Sequence, residues 1–352
     1  GITINKTMAV NEFRKDLVSG EWVLISSVRA KRPHDGQRDR FVQSKEECVF
    51  EPARMDDQFP PVLVYEDGKP IAWHGDWDGP WTTVVVPNKF PALVAGACGE
   101  PVMRGPFATH PAHGFHELII TRDHDRHFAH FSTEETAEIL HMYRDRFRAI
   151  AQDACGDYIS IFHNHGRAAG ASVYHNHSQI ISTPVIPPEV MRSLEGADDY
   201  FQQQGVGVHR ALIDWELQEK TRIVYENAQF IAFCPFVSKT AYEVRIFPKT
   251  QEPRFESSGD DCVRDCADAL NAVLKKLHAA LDDVDYNFYI HTAPVARDPA
   301  INYDYYHWHI EVVPREVMPN IPLHGGFELS TAIHINAFDP DECAKHLRET
   351  NI

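Results

Sequence analysis

No apolar run in this 352-residue chain approaches the roughly 20 residues that a bilayer-spanning helix needs. The opening residues, Gly1-Ile2-Thr3-Ile4-Asn5-Lys6, have no long apolar core of a secretory leader. These two absences point to a cytoplasmic protein with no membrane partner. Basic residues are also in deficit, 34 Lys and Arg against 51 Asp and Glu, for a formal charge of −17. Such a balance argues against a nucleic-acid polymer or an anionic membrane surface as partner, but not against one nucleotide in a locally basic pocket. Arg29, Lys31 and Arg32 form the candidate pocket. Gly/Ser-rich low-complexity sequence is missing, so no flexible linker is expected. The seven cysteines are odd in number and lack the rhythm of a disulfide framework, which suits a reducing compartment. Cys262 and Cys266, four apart, read as small buried side chains on one helical face.

What is present is a folded composition, 43% hydrophobic and 24% charged, with an internal repeat. Ser132-Thr133-Glu134-Glu135 is a capping box, so a helix should begin there. Ile139, Met142, Tyr143, Phe147 and Ile150 follow at helical spacing. Tyr158 to Phe162 then reads as a strand, and a glycine-bearing loop leads into a second strand over His175 to Ile181. The order recurs as a helix over 260–281, a strand over Tyr286 to Ile290, a longer loop and a strand from His307 to Val313. Strands over Thr82 to Pro87 and Glu117 to Thr121 match Phe230 to Phe233 and Glu243 to Phe247. The expected fold is α+β, two tandem units with mainly antiparallel sheets and flanking helices. The boundaries are 1–182, a structured connector over 183–228 with a helical stretch from Ala211 to Lys220, and 229–352. Sequence leaves open whether the two sheets meet edge to edge or face to face.

The chemistry concentrates at His175-Asn176-His177-Ser178-Gln179. Strand residues two apart share a face, so His175, His177 and Gln179 line one surface. Imidazole serves as metal ligand, base or nucleophile, and the turn over Asn164 to Ser172 offers backbone donors for phosphate oxygens. Together they suggest phosphoryl or nucleotidyl chemistry.

Read with Ser26 to Pro33, Val86 to Leu93, Gly114-Phe115-His116-Glu117 and Gly326-Phe327-Glu328-Leu329, in that order, this motif resembles the galactose-1-phosphate uridylyltransferase family of the histidine-triad superfamily. The C-terminal segment is also similar to ADP-glucose phosphorylases and short prokaryotic members. The resemblance implies a nucleotidyltransferase that exchanges sugar 1-phosphates on a nucleoside diphosphate through a nucleotidyl-histidine intermediate. Uridylyl transfer to galactose 1-phosphate is the default reaction. Phosphorolysis of an ADP-glucose-like donor and a catalytically silent nucleotide-binding relative are the alternatives. It implies His177 as nucleophile, Gln179 as phosphoryl-oxygen donor and a phosphate cradle of Ser172, Asn164, Gly170 and Ala171. Arg29 and Arg32 would meet the diphosphate, Asn88, Lys89 and Phe90 the base and ribose, and Phe327 and Glu328 the sugar. A structural zinc site is implied at Cys48, Glu51, His116 and His175, with Glu51 in place of the usual second cysteine. A second metal, iron or zinc, is implied at His291, His307 and His309. A homodimer acting on a nucleotide-sugar and a sugar 1-phosphate completes the expectation. One departure is Asn176, where proline is common between the two histidines; it adds a backbone N–H and loosens φ.

Overall fold

A computed structural model describes residues 10–31, 40–153, 155–319 and 324–352. The first half supplies β1 (Asn11–Lys15), β2 (Trp22–Ser26), β3 (Leu63–Glu66), β4 (Lys69–Pro70) and β5 (Thr83–Pro87). A small hairpin, β6 (Val102–Arg104) with β7 (Phe107–Thr109), precedes β8 (Phe115–Thr121), α1 (Thr133–Ile150), β9 (Tyr158–His165) and β10 (His177–Thr183). Two connecting helices follow, α2 (Pro188–Gln204) and α3 (Val208–Glu219). The second half contains β11 (Ile223–Glu226), β12 (Phe230–Phe233), β13 (Val244–Pro248), α4 (Asp260–Ala280), β14 (Tyr286–His291) and β15 (His309–Pro314). It closes with α5 (Gly326–Thr331), β16 (His334–Asn336) and α6 (Pro340–Glu349).

The two halves meet edge to edge. Eleven strands form one sheet in the order β11-β12-β13-β15-β14-β9-β10-β8-β5-β3-β4, and every pairing within it is antiparallel. The join is β9 against β14, with Tyr286 opposite His165 and Ile290 opposite Ile161. Both strands bury alternate residues, and α1 and α4 pack together over that face. Phe147, Ile161, Ile180, Leu270, Leu274, Phe288 and Ile310 belong to this common core.

Local chemistry explains the helices. Ser132 Oγ accepts from the Glu135 N–H at 3.1 Å, and the Glu135 carboxylate accepts from the Ser132 N–H at 2.7 Å, closing the expected box. α3 begins at Val208, slightly before the anticipated stretch. The proline-bearing connector also folds as α2, with Pro188 at its first turn, where no donor is lost, and with Val190, Leu194 and Ala197 buried at helical spacing. At the other end, β16 pairs in parallel with β2, tying the C-terminal segment to the N-terminal one.

The cysteine expectation needs correction at one pair. Cys98 and Cys155, 57 residues apart, form a disulfide, while Cys48, Cys234, Cys262, Cys266 and Cys343 are free. A single bridge has no rhythm, so cysteine spacing gives no sign of it. It withdraws the cysteine argument for a reducing compartment. Cys262 and Cys266 do lie on α4, half-buried and buried. No described helix is long and apolar enough to cross a membrane.

Candidate active site and metal clusters

β10 begins at His177, which with Gln179 faces one side of the sheet while Ser178 faces the other. Ser178 Oγ is held in the core by Tyr143 and by His163 Nδ1. His177 Nδ1 donates to the His175 carbonyl at 2.9 Å, which fixes the tautomer and leaves Nε2 with its lone pair. Burial lowers its pKa, so the ring is neutral at pH 7.

Gln179 is oriented by His116, which the family resemblance placed among the zinc ligands. His116 Nδ1 accepts from the Ala92 N–H at 3.0 Å, so in the neutral ring Nε2 carries the proton. That proton goes to Gln179 Oε1 at 2.8 Å, and the Gln179 NH2 is left to donate into the site. Asn88 joins the same group; its N–H donates to the His116 carbonyl and its Oδ1 accepts from the Phe90 N–H.

The loop between β9 and β10 is held tightly. Gly166 has φ +82°, and a Cβ there would lie 2.0 Å from the Asp285 carboxylate. The Ala171 N–H bonds the Gly166 carbonyl and the Gly170 N–H bonds the Arg167 carbonyl. These two amides, expected to cradle phosphate, are therefore spent inside the loop. What the loop presents outward is the exposed Ser172. Asn164 Oδ1 accepts from Asn287 of the second half at 2.8 Å, so the halves jointly set its amide.

The expected metal set is not brought together as stated. His116 faces Gln179, and its place beside Cys48 and His175 is taken by His124, from the turn after β8. His124 Nε2 donates to the Gln43 carbonyl at 2.8 Å, and His175 Nε2 donates to the Thr121 carbonyl at 2.6 Å. Both Nδ1 lone pairs are thereby turned inward. His124 Nδ1 is buried with no hydrogen-bond partner and lies 3.3 Å from Glu51, while His175 Nδ1 lies 3.5 Å from Cys48 Sγ and 3.8 Å from Glu51. Burial lowers the His175 pKa to about 4 and raises that of the Cys48 thiol. Two inward-facing imidazole nitrogens, a thiol and a carboxylate around one point fit a closed tetrahedral metal site. The residue was legible as a histidine shortly after a strand, but nothing in the spacing singled it out.

The second half repeats the first in detail. His307 Nε2 donates to the Pro248 carbonyl as His175 does to Thr121, and His309 Nδ1 donates to the His307 carbonyl as His177 does to His175. Where the first half has Gln179, the second has Glu311. His291, His309 and Glu311 offer ligand atoms within 4.8 Å of one another, facing a cavity of about 490 Å³. His307, expected as a ligand, is not in this group. Arg245 lies 3.2 Å from Glu311 and, with the neighbouring histidines, holds its carboxyl far below the usual range despite burial.

Other expected substrate residues are spread more widely. Arg29 sits in the turn after β2 and Arg32 lies outside the described residues. Lys89 and Phe90 are exposed, Phe90 by 84%. Phe327 and Glu328 lie on α5, where Glu328 caps the Gly325 N–H; the flanking His324 and Ala332 line the second cavity.

A duplicated antiparallel unit with alternating histidines at matching strand starts defines a histidine-triad-type α+β protein. Residues 2–187 match the family model for the N-terminal domain of galactose-1-phosphate uridyl transferase. The chain is 30% identical to an ADP-glucose phosphorylase from Arabidopsis thaliana, over 97% of this chain and 93% of the relative. It is 26% identical to a galactose-1-phosphate uridylyltransferase from Thermotoga maritima, over 97% and 99%. The crystal structure of an Arabidopsis thaliana ADP-glucose phosphorylase with bound ADP-glucose superposes with a TM-score of 0.79 at 29% identity, covering 97% of this chain and all of that one. The chain belongs to the galactose-1-phosphate uridylyltransferase family and is a nucleotidyltransferase.

Proposed function

We propose that the protein exchanges the group attached to the α-phosphorus of a nucleoside-diphosphate hexose in two displacements at His177. The observation that carries this reading is His177, its Nδ1 held by the His175 carbonyl, on the same strand face as Gln179, whose Oε1 is held by His116. Nε2 attacks the α-phosphorus, the bond to the bridging oxygen breaks, and hexose 1-phosphate leaves with the electron pair. Nδ1–H stays on the His175 carbonyl and spreads the positive charge that the phosphorylated ring acquires. An acceptor phosphate oxygen then attacks from the vacated side and returns the electron pair to Nε2. Gln179 donates to a nonbridging oxygen as charge builds there, and the hydroxyl of Ser172 and the amide of Asn164 flank it.

Two donors follow from the relatives. Identity of 30% over nearly the full chain favours ADP-glucose with inorganic phosphate as acceptor. The full-length Thermotoga relative supports uridylyl transfer to galactose 1-phosphate as the second reading. Brief incubation with ADP-glucose or with a UDP-hexose, followed by intact-mass measurement, separates them by whether an adenylyl or a uridylyl adduct forms. An active His177→Ala variant would exclude both.

In this reading zinc is held by Cys48, Glu51, His124 and His175, and its role is structural. His175 would bridge the metal through Nδ1 and the nucleophile through its carbonyl, so the metal site sets the position of His177. The cluster His291, His309 and Glu311 is a candidate second site for iron or zinc. A homodimer, with Phe327 and Glu328 of one copy meeting a sugar bound to the other, completes this reading. Light scattering tests that assembly.

A further inference from the structure

Outside both repeats of the histidine motif, four more imidazoles gather around one carboxylate. His127 and His130 come from the turn after β8, His165 from the end of β9, His278 from the last turn of α4, and Asp283 from the turn that follows α4. Asp283 Oδ1 lies 3.1 Å from His165 Nε2, 3.1 Å from His278 Nδ1 and 3.6 Å from His127 Nε2. The His127, His278 and Asp283 ligand atoms all lie within 4.8 Å of one another. The His127 ring centroid is 4.2 Å from that of His165 and 4.1 Å from that of His130.

Hydrogen bonding alone leaves this group incompletely satisfied. At 3.6 Å the His127 nitrogen is too far from the carboxylate for a hydrogen bond, and its other ring nitrogen is buried without a partner. Zinc bonds of about 2.0–2.1 Å to nitrogen or oxygen place tetrahedral ligand atoms about 3.3–3.4 Å apart, which the three distances to Asp283 bracket. Burial, and after it the neighbouring His165, hold the His127 pKa down to about 2. Neutral imidazole and ionised carboxylate are the protonation states a metal requires.

We propose that His127 Nε2, His278 Nδ1 and Asp283 Oδ1 bind a divalent transition-metal ion, of which zinc is the commonest partner for such a donor set. His165 completes the site, as fourth ligand after a small inward shift or as the partner that orients the Asp283 carboxylate while water takes the fourth position. This site is separate from the clusters at Cys48 and at His291. It would act on the catalytic loop from behind. His165 immediately precedes Gly166, and Asp285, two residues after Asp283, accepts from the Ala168 N–H at 2.8 Å. The ion would therefore pin the turn after α4 to the base of the loop that carries Ser172.

The decisive experiment is X-ray diffraction from the full chain, purified without chelator and supplied with zinc chloride, on both sides of the zinc absorption edge. An anomalous peak about 2.0–2.1 Å from His127 Nε2, His278 Nδ1 and Asp283 Oδ1 is expected. In solution, His278→Ala should lower bound zinc by one equivalent, and combining it with Cys48→Ser should remove a second, independent equivalent. His278 lies at a helix end and is partly exposed, so the variant should fold; circular dichroism and thermal melting verify this. The proposal is overturned if no peak appears between these atoms while another cluster holds zinc, or if folded His278→Ala keeps the wild-type stoichiometry. The group would then be a histidine–carboxylate hydrogen-bond cluster only.

Discussion

Replacing Gln179 by Glu tests the catalytic geometry without dismantling it. The fold should survive, because the remaining carboxylate oxygen still accepts from His116 Nε2 and the equivalent strand position in the second half already holds Glu311. What changes is the group facing the phosphoryl oxygens, from a neutral donor to an anion. Loss of one donor to developing charge costs about 2.7–4 kcal/mol, or roughly a hundred- to a thousandfold in rate. Two like charges 4 Å apart at an effective dielectric of 20 repel by up to about 4 kcal/mol, which adds to that loss. A decrease of at least about a hundredfold is therefore expected in single-turnover formation of the protein-bound nucleotide. Protonating the new carboxyl restores a neutral donor, and His177, whose pKa burial lowers, is common to both proteins and cancels in their ratio, so the deficit should shrink as pH falls. A folded variant within about threefold of wild type, with no pH dependence of the difference, would refute the placement of Gln179 at the phosphoryl group.

His116→Ala frees the Gln179 amide to rotate, so kcat should fall about tenfold or more with little change in KM, measured by steady-state kinetics. His124→Ala should remove about one zinc per chain and lower the melting temperature more than it changes the chemical step, while His116→Ala keeps that zinc; elemental analysis and calorimetry read both. Gly166→Ala forces a side chain into a positive-φ position against Asp285, and a loss of about 2 kcal/mol or more is expected in urea unfolding. His307 is fully buried and depressed to about 3, against about 6.5 unfolded. The unfolded chain therefore binds its proton first. The penalty is absent above pH 6.5 and grows as pH falls toward 3, reaching about 3 kcal/mol at pH 4.5. Folded His307→Asn should show a shallower acid loss in denaturation curves, and an identical slope would contradict the assignment.

The α+β class, the repeat and the pairing of His177 with Gln179 were all legible in the chain, because each rests on local periodicity. A strand turns over every two residues whatever surrounds it, and a Ser-x-x-Glu box caps a helix with its own side chains. α2 is one local element the sequence did not announce, since its prolines read as a connector although one of them starts the helix, and α5, β16 and α6 are others. What the sequence could not decide is which distant segments converge. His116 and His124 are both histidines near β8, and only the pairing of β8 with β10 puts Gln179 against the first and leaves His175 facing the second. The same holds for Cys98 with Cys155, for Glu311 replacing His307 in the second cluster, and for His127, His165 and His278 around Asp283. Such contacts have no period, because loop lengths and sheet order set them, and both act through the closed tertiary structure rather than through neighbouring residues.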